Sequence, residues 1–253
     1  MIDVVDVGPF RVVDARRDEL TRDLVQAWVR RAAPIRVFSL HVGGLNLRRD
    51  AAFVDAVNQA EWLCADGAAV VLVARLAGSN RIERAPTTDL AHAVLRELRS
   101  VAGRTVTFGV IGGPEGLADR AAERLTEFHD ARCVVSSHGY RSNWQPVLDV
   151  LAQEQPDVVF VGMGMPKEAL WVTENLPSLP PSLYLTCGGW FGFLVGDESR
   201  APAAVQRFGG EWLWRAAQSP RLLPRYARGV VTTIGLLPGA VGARRRTKKA
   251  RVR

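Results

Sequence analysis

Residues Thr105 to Leu125 read TVTFGVIGGPEGLADRAAERL, a nearly continuous apolar run that passes through a glycine-rich turn into a segment with helical periodicity. Similar apolar runs that end in glycines recur at DVVFVGMG (157–164) and LYLTCGG (183–189). A strand without regular polar alternation is typical of a sheet that is buried on both faces. The pattern therefore predicts an α/β fold, a Rossmann-like parallel sheet covered by helices on both faces.

The alternation of helix and strand continues through residues 18–187, after a β-hairpin predicted in residues 5–15. Apolar spacings of three and four predict the helices, and short apolar runs predict the strands. The predicted helices are Asp18–Ala33, Asp50–Ala60, Ala68–Leu76, Thr88–Val101, Glu115–Phe128, Trp144–Gln153 and Lys167–Asn175. The predicted strands are Ile35–Leu40, Glu61–Ala65, Arg104–Ile111, Arg132–Ser136, Asp157–Val161 and Ser182–Cys187. The chain length fits one such domain followed by an appendage.

The C-terminal end carries most of the positive charge. Residues 211–253 hold eleven Lys and Arg against one acidic residue, in a chain whose net charge is +7. The other 210 residues therefore sum to about −3. A mildly acidic body with a basic, Trp-rich end indicates binding to an anionic surface, either a membrane or a nucleic acid.

The longest apolar run, GVVTTIGLLPGAVGA (229–243), is interrupted by Pro238 and is shorter than the roughly 20 residues that a bilayer span needs. We expect it to lie on a membrane rather than to cross one. The basic segment RRRTKKARVR (244–253) is expected to be disordered when unbound. The three widely spaced cysteines support neither a disulfide framework nor a zinc site, and the acidic N-terminus does not resemble a signal peptide. A reducing cytoplasm is therefore the expected compartment.

Glycine-bearing turns follow three predicted strands, at residues 112–116, 162–166 and 188–192. Ligands of open parallel sheets bind beyond the carboxyl ends of the strands, where helix N-termini offer N–H groups to phosphate. A phosphorylated ligand is one interpretation, and glycines that merely permit tight turns are the other. The dinucleotide motif G-x-G-x-x-G fails because Lys167 stands where its third glycine is required, and no P-loop motif occurs.

Polar side chains are predicted at the same edge of the sheet. Asp66 lies between a short strand and a helix, where a carboxylate serves either as a general base or as a helix N-cap. For Asp89 the capping interpretation is stronger. Ser39 and His41 end the first core strand, although a lone histidine is more often structural than catalytic. The remaining histidines lack metal-ligand spacing and no D-x-D pair occurs, which disfavours metal dependence.

Together these segments resemble the WecG/TagA/CpsF family of bacterial glycosyltransferases, in unbroken order over residues 36–226. The matching segments are SLHVGGLNL, ADGAAVVLVAR, ERAPTTDL, FGVIGGPEGLADRAAERL, SSHGY, PDVVFVGMGMPKEALW, CGGWFGFLVG and RAPAAVQRFGGEWLWRAAQSPRLLPRY. So many segments in one order make chance agreement improbable.

The resemblance implies transfer of a sugar, typically N-acetylmannosamine, its uronate or glucuronate, from a UDP-sugar to a polyprenyl-diphosphate-linked saccharide. It implies inversion without metal or cofactor, on the cytoplasmic face of the membrane, in the synthesis of a cell-surface polysaccharide. By resemblance, Asp66 matches the proposed general base, and Arg84 matches a cation that neutralises the leaving diphosphate. The resemblance leaves the oligomeric state of the protein open.

The strand-end positions and the resemblance together give the predicted site. The predicted catalytic residues are Asp66, Ser39 and His41. The predicted substrate-binding residues are Asn46, Arg84, Asp89, Gly112, Gly113, Tyr140, Gly162, Gly164, Lys167, Glu168, Gly188, Gly189, Arg215, Arg221 and Arg225. The predicted domains are a catalytic α/β domain (1–199), a helical appendage (200–228) and an apolar, then basic, membrane-associating tail (229–253).

Three positions depart from the family pattern. Its T-x-N becomes Ser39-Leu40-His41, its P-K-Q-E becomes PKEA at residues 166–169, and its R-V-x-G-x-D becomes RAPTTD at residues 84–89. A carboxylate at Glu168 is expected to weaken diphosphate binding unless Lys167 compensates. The departures favour a different sugar or lower activity. They leave open a second hypothesis, a non-catalytic relative that binds nucleotide-sugars or partner enzymes at the membrane.

The appendage also has two interpretations. The resemblance implies that its arginines reach the ligand diphosphate and that it docks on the membrane, which basic and apolar residues support. Trp212 and Trp214 are equally typical of a protein core. For the terminal basic segment the alternative is nucleic-acid binding, which the absence of a recognisable nucleic-acid fold disfavours.

Overall fold

The computed structural model describes residues 2–199, 202 and 211–251, with the backbone alone for residues 211–213, 215, 220 and 246–251. Within these residues, six strands form one parallel sheet: β3 (Ile35–Leu40), β4 (Trp62–Ala65), β5 (Thr107–Gly112), β6 (Arg132–Ser137), β7 (Val158–Gly162) and β8 (Leu183–Thr186). Their order across the sheet is β4-β3-β8-β7-β5-β6. An antiparallel hairpin of β1 (Val4–Val7) and β2 (Phe10–Val13) precedes them. The predicted hairpin and parallel sheet are confirmed.

Helices lie between the strands of the sheet and after its last strand. They are α1 (Arg17–Val29), α2 (Val42–Leu45), α3 (Ala51–Asn58), α4 (Ala68–Ala77), α5 (Thr87–Ala102), α6 (Leu117–His129), α7 (Gln145–Glu154), α8 (Lys167–Asn175), α9 (Trp190–Leu194), α10 (Glu211–Gln218) and α11 (Leu223–Arg251). The short helices α2 and α9 were not expected, because four or five residues are too few for a periodic pattern.

The sheet is buried on both faces, as its apolar strands predict. In β7, Val158 and Phe160 pack into one core cluster with residues of α1, α5 and α6. The alternate residues Val159 and Val161 pack into a second cluster with residues of α3, α4 and α8. Because successive side chains of a strand point to opposite faces, a strand between two helical layers is apolar throughout.

Strand order places crevices at the carboxyl edge of the sheet. The chain leaves β3 toward β4 on one side, while β8 pairs with β3 on its other side. The chain thus continues from β3 to the strand on one side, whereas β8, on the other side of β3, is connected to β7. Neighbouring strands whose connections run in opposite directions leave a crevice between them. Such a topological switch point is where open parallel sheets bind their ligands.

The last helix, α11, lies against the body of the protein. A Cβ built at Gly229 would lie 2.1 Å from Cγ2 of Val42, so glycine allows α11 to approach α2 closely. Thr232 and Ala240 are buried, whereas Val231 is 71% exposed. The apolar run 229–243 therefore has one face packed on the protein and one face open.

Helix α11 bears on two predictions about the C-terminal end of the chain. The terminal basic segment, expected to be disordered, is helical through Arg251, in keeping with its Ala, Arg and Lys content. The predicted boundary at residue 229 falls inside α11, and the domain division stays a prediction. Among the described residues, no helix is both long and apolar enough to cross a membrane.

Candidate active site

A polar cavity of about 200 Å³ lies beyond the carboxyl ends of β3, β4, β7 and β8. The helix α11 and the segment before it close it from the side through Leu222, Arg225 and Tyr226. The predicted site residues that line it are Ser39, His41, Asp66, Arg84, Gly164, Glu168, Gly188, Gly189 and Arg225. Residues far apart in sequence therefore meet at the switch point.

Ser39 is held by two threonines. Its hydroxyl lies 2.5 Å from Oγ1 of Thr87, whose own proton goes to the carbonyl oxygen of Thr186 at 2.9 Å. Since each hydroxyl has one proton, the Ser39 hydroxyl is the donor to Thr87. The Ser39 backbone N–H donates to Oγ1 of Thr186 at 3.0 Å. The hydroxyl proton of Ser39 is therefore used in the hydrogen bond to Thr87, and its oxygen is able to accept a hydrogen bond at the cavity wall.

His41 caps the short helix α2. Its Nδ1 accepts the backbone N–H of Gly43 at 2.9 Å, which assigns the ring proton of the neutral form to Nε2. The guanidinium of Arg225 lies against the same ring, with Nη2 3.2 Å from both ring nitrogens. A Cβ at Gly43 would come within 2.1 Å of that Nη2, so a side chain at this position would displace the guanidinium from the ring.

Asp66 stands at the end of β4. Its backbone N–H donates to the carbonyl oxygen of Leu40 at 2.9 Å, and its carbonyl oxygen accepts Nε of Arg84 at 2.9 Å. The N-cap of α4 is Gly67, so Asp66 lies one residue before the N-cap position that the capping interpretation gave it. The strand end and the arginine therefore fix the backbone from which this carboxylate projects.

Glu168 connects the turns after β7 and β8. Its Oε2 accepts backbone N–H groups of Met163 at 3.2 Å, Gly164 at 2.9 Å and Gly188 at 3.0 Å. Burial raises its pKa to about 7, although the three N–H groups act in the opposite direction. The carboxyl therefore stabilises two glycine turns at the cavity wall.

Other predicted residues cluster at the neighbouring strand ends, outside the polar cavity. The ammonium of Lys167 donates to the carbonyl oxygen of Gly139 and lies 4.9 Å from the ring centroid of Tyr140. The turns of β5 and β7 pack closely, since the Gly113 N–H donates to the Gly162 carbonyl at 3.0 Å. A Cβ at Gly112 (φ 143°) would meet the same oxygen at 2.2 Å. The tight-turn interpretation therefore holds for Gly112.

The remaining predicted residues lie around these groups. Asn46 donates its Nδ2 to the carbonyl oxygen of Arg225 at 3.0 Å, which ties α11 to α2. Asp89 is in the first turn of α5 and pairs with Arg17 at 3.3 Å, while the N-cap is Pro86. Arg221 lines a neighbouring cavity of about 230 Å³, which shares Glu198 and Leu222 with the polar cavity. The side chain of Arg215 lies outside the described residues.

Some cavity residues escaped the prediction. Thr87, Thr88, Cys187, Trp190, Phe193, Glu198 and Tyr226 also line the polar cavity. Thr87 and Thr88 stand in the segment ERAPTTDL, whose position before a helix was the available signal. Burial raises the pKa of Cys187 well above its usual value, so this thiol is not a ready nucleophile.

The polar cavity opens into a larger apolar cavity of about 570 Å³ between α4 and α11. Its walls include Leu72 of α4 and Val230, Ile234 and Leu237 of α11. His41, Asp66, Arg84, Arg225 and Tyr226 line both cavities. The charged groups of the site therefore stand where a polar and an apolar compartment meet.

All three cysteines, Cys64, Cys133 and Cys187, are free thiols. Within the described part of the chain, no three His, Cys, Asp or Glu side chains are grouped as metal ligands. The cationic side chains that line both cavities are Arg84 and Arg225.

A parallel sheet with a carboxylate and guanidiniums at its switch point is an arrangement typical of α/β enzymes. The sequence profile of the Glycosyl transferase WecG/TagA/CpsF family matches residues 5–250. The chain belongs to this family and is a glycosyltransferase. It is 25% identical over 194 residues to an N-acetylglucosaminyldiphosphoundecaprenol N-acetyl-beta-D-mannosaminyltransferase of Bacillus spizizenii, a match that covers 74% of this chain and 75% of the relative. The family predicted from the sequence segments is confirmed.

Proposed function

We propose that the protein is an inverting, metal-independent transferase that moves an N-acetylmannosaminyl or similar residue from a UDP-sugar to a polyprenyl-diphosphate-linked saccharide. The reaction belongs to cell-surface polysaccharide synthesis on the cytoplasmic face of the membrane. The juxtaposition of Asp66 with Arg84 and Arg225 around the polar cavity carries the proposal. The named activity of the Bacillus relative supports the acceptor class.

Asp66 acts as the general base in this proposal. Its carboxylate takes the proton of the acceptor hydroxyl as that oxygen bonds to the anomeric carbon of the donor sugar. The bond from the anomeric carbon to the β-phosphate oxygen breaks at the same time, and UDP leaves with the electron pair. Because attack comes from the face opposite the leaving group, an α-linked UDP-sugar gives a β-linked product.

Guanidinium groups neutralise the charge that develops on the departing diphosphate. Arg84 and Arg225 line the polar cavity from distant segments of the sequence. Arginine presents several N–H donors in a fixed plane that matches phosphate oxygens. Such preorganised donors stabilise the charge of the transition state in this proposal without a metal ion.

In this proposal the nucleotide of the donor binds at the glycine turns that follow β7 and β8. Gly164, Gly188 and Gly189 line the polar cavity, and close approach of backbone to phosphate is easiest at glycine. Lys167 and the 74% exposed ring of Tyr140 lie next to these turns, at the ends of β6 and β7. A base that stacks on Tyr140 would extend its diphosphate toward Arg84.

The departures at His41 and Glu168 bear on the choice of sugar. Both line the polar cavity, and the carboxyl of Glu168 is engaged by three N–H groups. The charge that was expected to oppose the diphosphate is therefore partly compensated by backbone, while Lys167 contacts Gly139 instead. We assign these two positions to recognition of the sugar rather than to loss of activity.

A transfer assay tests the proposal. Purified protein is incubated with a panel of labelled UDP-sugars and a polyprenyl-diphosphate-linked N-acetylglucosamine, and the lipid product is extracted. Transfer from one donor, a β linkage by NMR and an unchanged rate in EDTA are expected. Binding of UDP without transfer from any donor would favour the non-catalytic alternative.

A further inference from the structure

The apolar cavity has no role in the chemistry described above. Its walls are largely hydrocarbon, and three of its large apolar side chains remain open to water: Leu72 is 49% exposed, Val230 49% and Ile234 60%. Exposed apolar surface that is continuous and concave is the mark of a binding groove. A hydrophobic ligand in this cavity would cover these side chains.

The position of the apolar cavity restricts that ligand. Arg84 and Arg225 stand at the end where it joins the polar cavity. A molecule that fills both compartments has an anionic group at the junction, a polar group on one side and a hydrocarbon group on the other. A sugar diphosphate ester of a long-chain alcohol has this order of groups.

We infer that the apolar cavity binds the first isoprene units of the acceptor's polyprenyl chain, with its diphosphate at the junction of the two cavities and its sugar in the polar cavity. This inference rests on the proposed function, because it takes the acceptor class from it. At about 570 Å³, within the range of about 300 to 1,000 Å³ for small-ligand pockets, the cavity holds only the start of such a chain.

The arrangement gives α11 two apolar faces with different partners. Val230 lines the apolar cavity, whereas its neighbour Val231, 71% exposed, does not. The first therefore contacts the acceptor chain, and the second faces outward, where the rest of the chain enters the membrane. The two valines form a matched pair for experiment.

The kinetic test compares Val230→Gln with Val231→Gln in detergent micelles, which removes the contribution of membrane binding. Acceptors with the same sugar diphosphate carry either a methyl group or prenyl chains of increasing length. For the wild-type protein, KM is expected to fall over the first few isoprene units and then to level off. Val230→Gln is expected to raise the KM for the long-chain acceptors about tenfold, since a polar amide then faces hydrocarbon, and to leave the KM for the methyl acceptor unchanged. Val231→Gln is expected to leave the KM for every acceptor unchanged.

A crosslinking test does not depend on turnover. A prenyl diphosphate with a photoreactive group on its first isoprene unit is expected to label peptides from α4 and residues 229–237 of α11, less so in Val230→Gln. Labelling elsewhere, a KM independent of chain length, or equal effects of the two variants would overturn the inference. Absence of transfer to every acceptor together with α4 and α11 labelling would instead refute the proposed reaction and retain the prenyl site.

Discussion

The guanidinium Nη2 of Arg225 lies 3.2 Å from both ring nitrogens of His41, although 184 positions separate the two residues in the chain. One residue belongs to α11 and the other follows the first strand of the sheet. The C-terminal helix therefore supplies part of the cavity wall, and we expect the basic end of the chain to serve the site as well as a membrane surface.

Replacement of Arg225 tests that task. Arg225→Ala is expected to lower kcat/KM by about 100-fold, because one charged donor to the diphosphate is lost. Arg228→Ala, an exposed arginine of the same helix that lines neither cavity, is the control and should change kcat/KM by less than about twofold. Equal losses in both variants would show that helix charge, and not the contact of Arg225 with the site, matters.

Glu168 makes stability depend on pH. Its pKa in the folded protein is raised to about 7 from 4.5, so ionisation in the folded state is unfavourable. The wild-type protein therefore loses stability as pH rises from about 4.5 to about 7, a loss on the order of 1 to 3 kcal/mol. Glu168→Gln, which restores the residue that the resemblance places there, does not ionise and is expected to lack this loss.

Urea unfolding at pH 5 and pH 8 measures the difference. The stability of Glu168→Gln relative to wild type should increase between the two values of pH. Glu174→Gln, at an exposed position of the same helix, controls for a general effect of charge. If the difference between Glu168→Gln and wild type stays constant with pH, the carboxyl titrates alike in folded and unfolded chains.

Asp157 precedes β7, at the end of the sheet that lies away from the candidate site. Its carboxylate is fully buried and pairs with Arg104 at 2.6 Å and with Arg31 at 3.4 Å. Asp157→Asn is expected to destabilise the protein by about 3 kcal/mol in urea unfolding. Asp130→Asn breaks the exposed pair with Arg99 and should cost less than about 1 kcal/mol. Comparable losses would mean that burial does not set the strength of these pairs.

The open face of α11 is expected to bind anionic membranes. Val231→Asp combined with Arg245→Glu removes an apolar contact and reverses one exposed charge, and each basic residue contributes about 1 kcal/mol at such a surface. Sedimentation with anionic vesicles should fall at least tenfold and should weaken for the wild type at high salt. Unchanged sedimentation with an unchanged thermal melt would place membrane attachment elsewhere.

Much of the fold was predictable because the sheet is buried on both faces. The apolar runs that end in Leu40, Ala65 and Gly162 mark three of its strands, and the predicted strand Ile35–Leu40 has the bounds observed. The start of α6 was placed too early, at Glu115, because Gly113 and Gly116 adopt positive φ before the helix begins at Leu117. The spacing of apolar residues does not show where such a turn ends and the helix begins.

The candidate site was predictable only in part. Asp66 and Arg84 lie in segments that resemble the family, and both line the cavities. The dependence of Ser39 on Thr87 and Thr186 links three distant segments, and no local pattern encodes it. The run 229–243 is apolar on all sides, so its sequence does not show which face packs on α4. Its packing creates the apolar cavity.

The most direct test of the proposed mechanism is the transfer rate of Asp66→Asn with a saturating UDP-sugar and a lipid-linked acceptor. Asp55→Asn, an exposed aspartate on α3 that lines neither cavity, is the matched control. Loss of the base is expected to lower kcat by about 10² to 10⁴ in Asp66→Asn, with UDP affinity and urea stability preserved and Asp55→Asn unchanged. Equal kcat for Asp66→Asn and wild type would remove Asp66 from the role of base and contradict the mechanism.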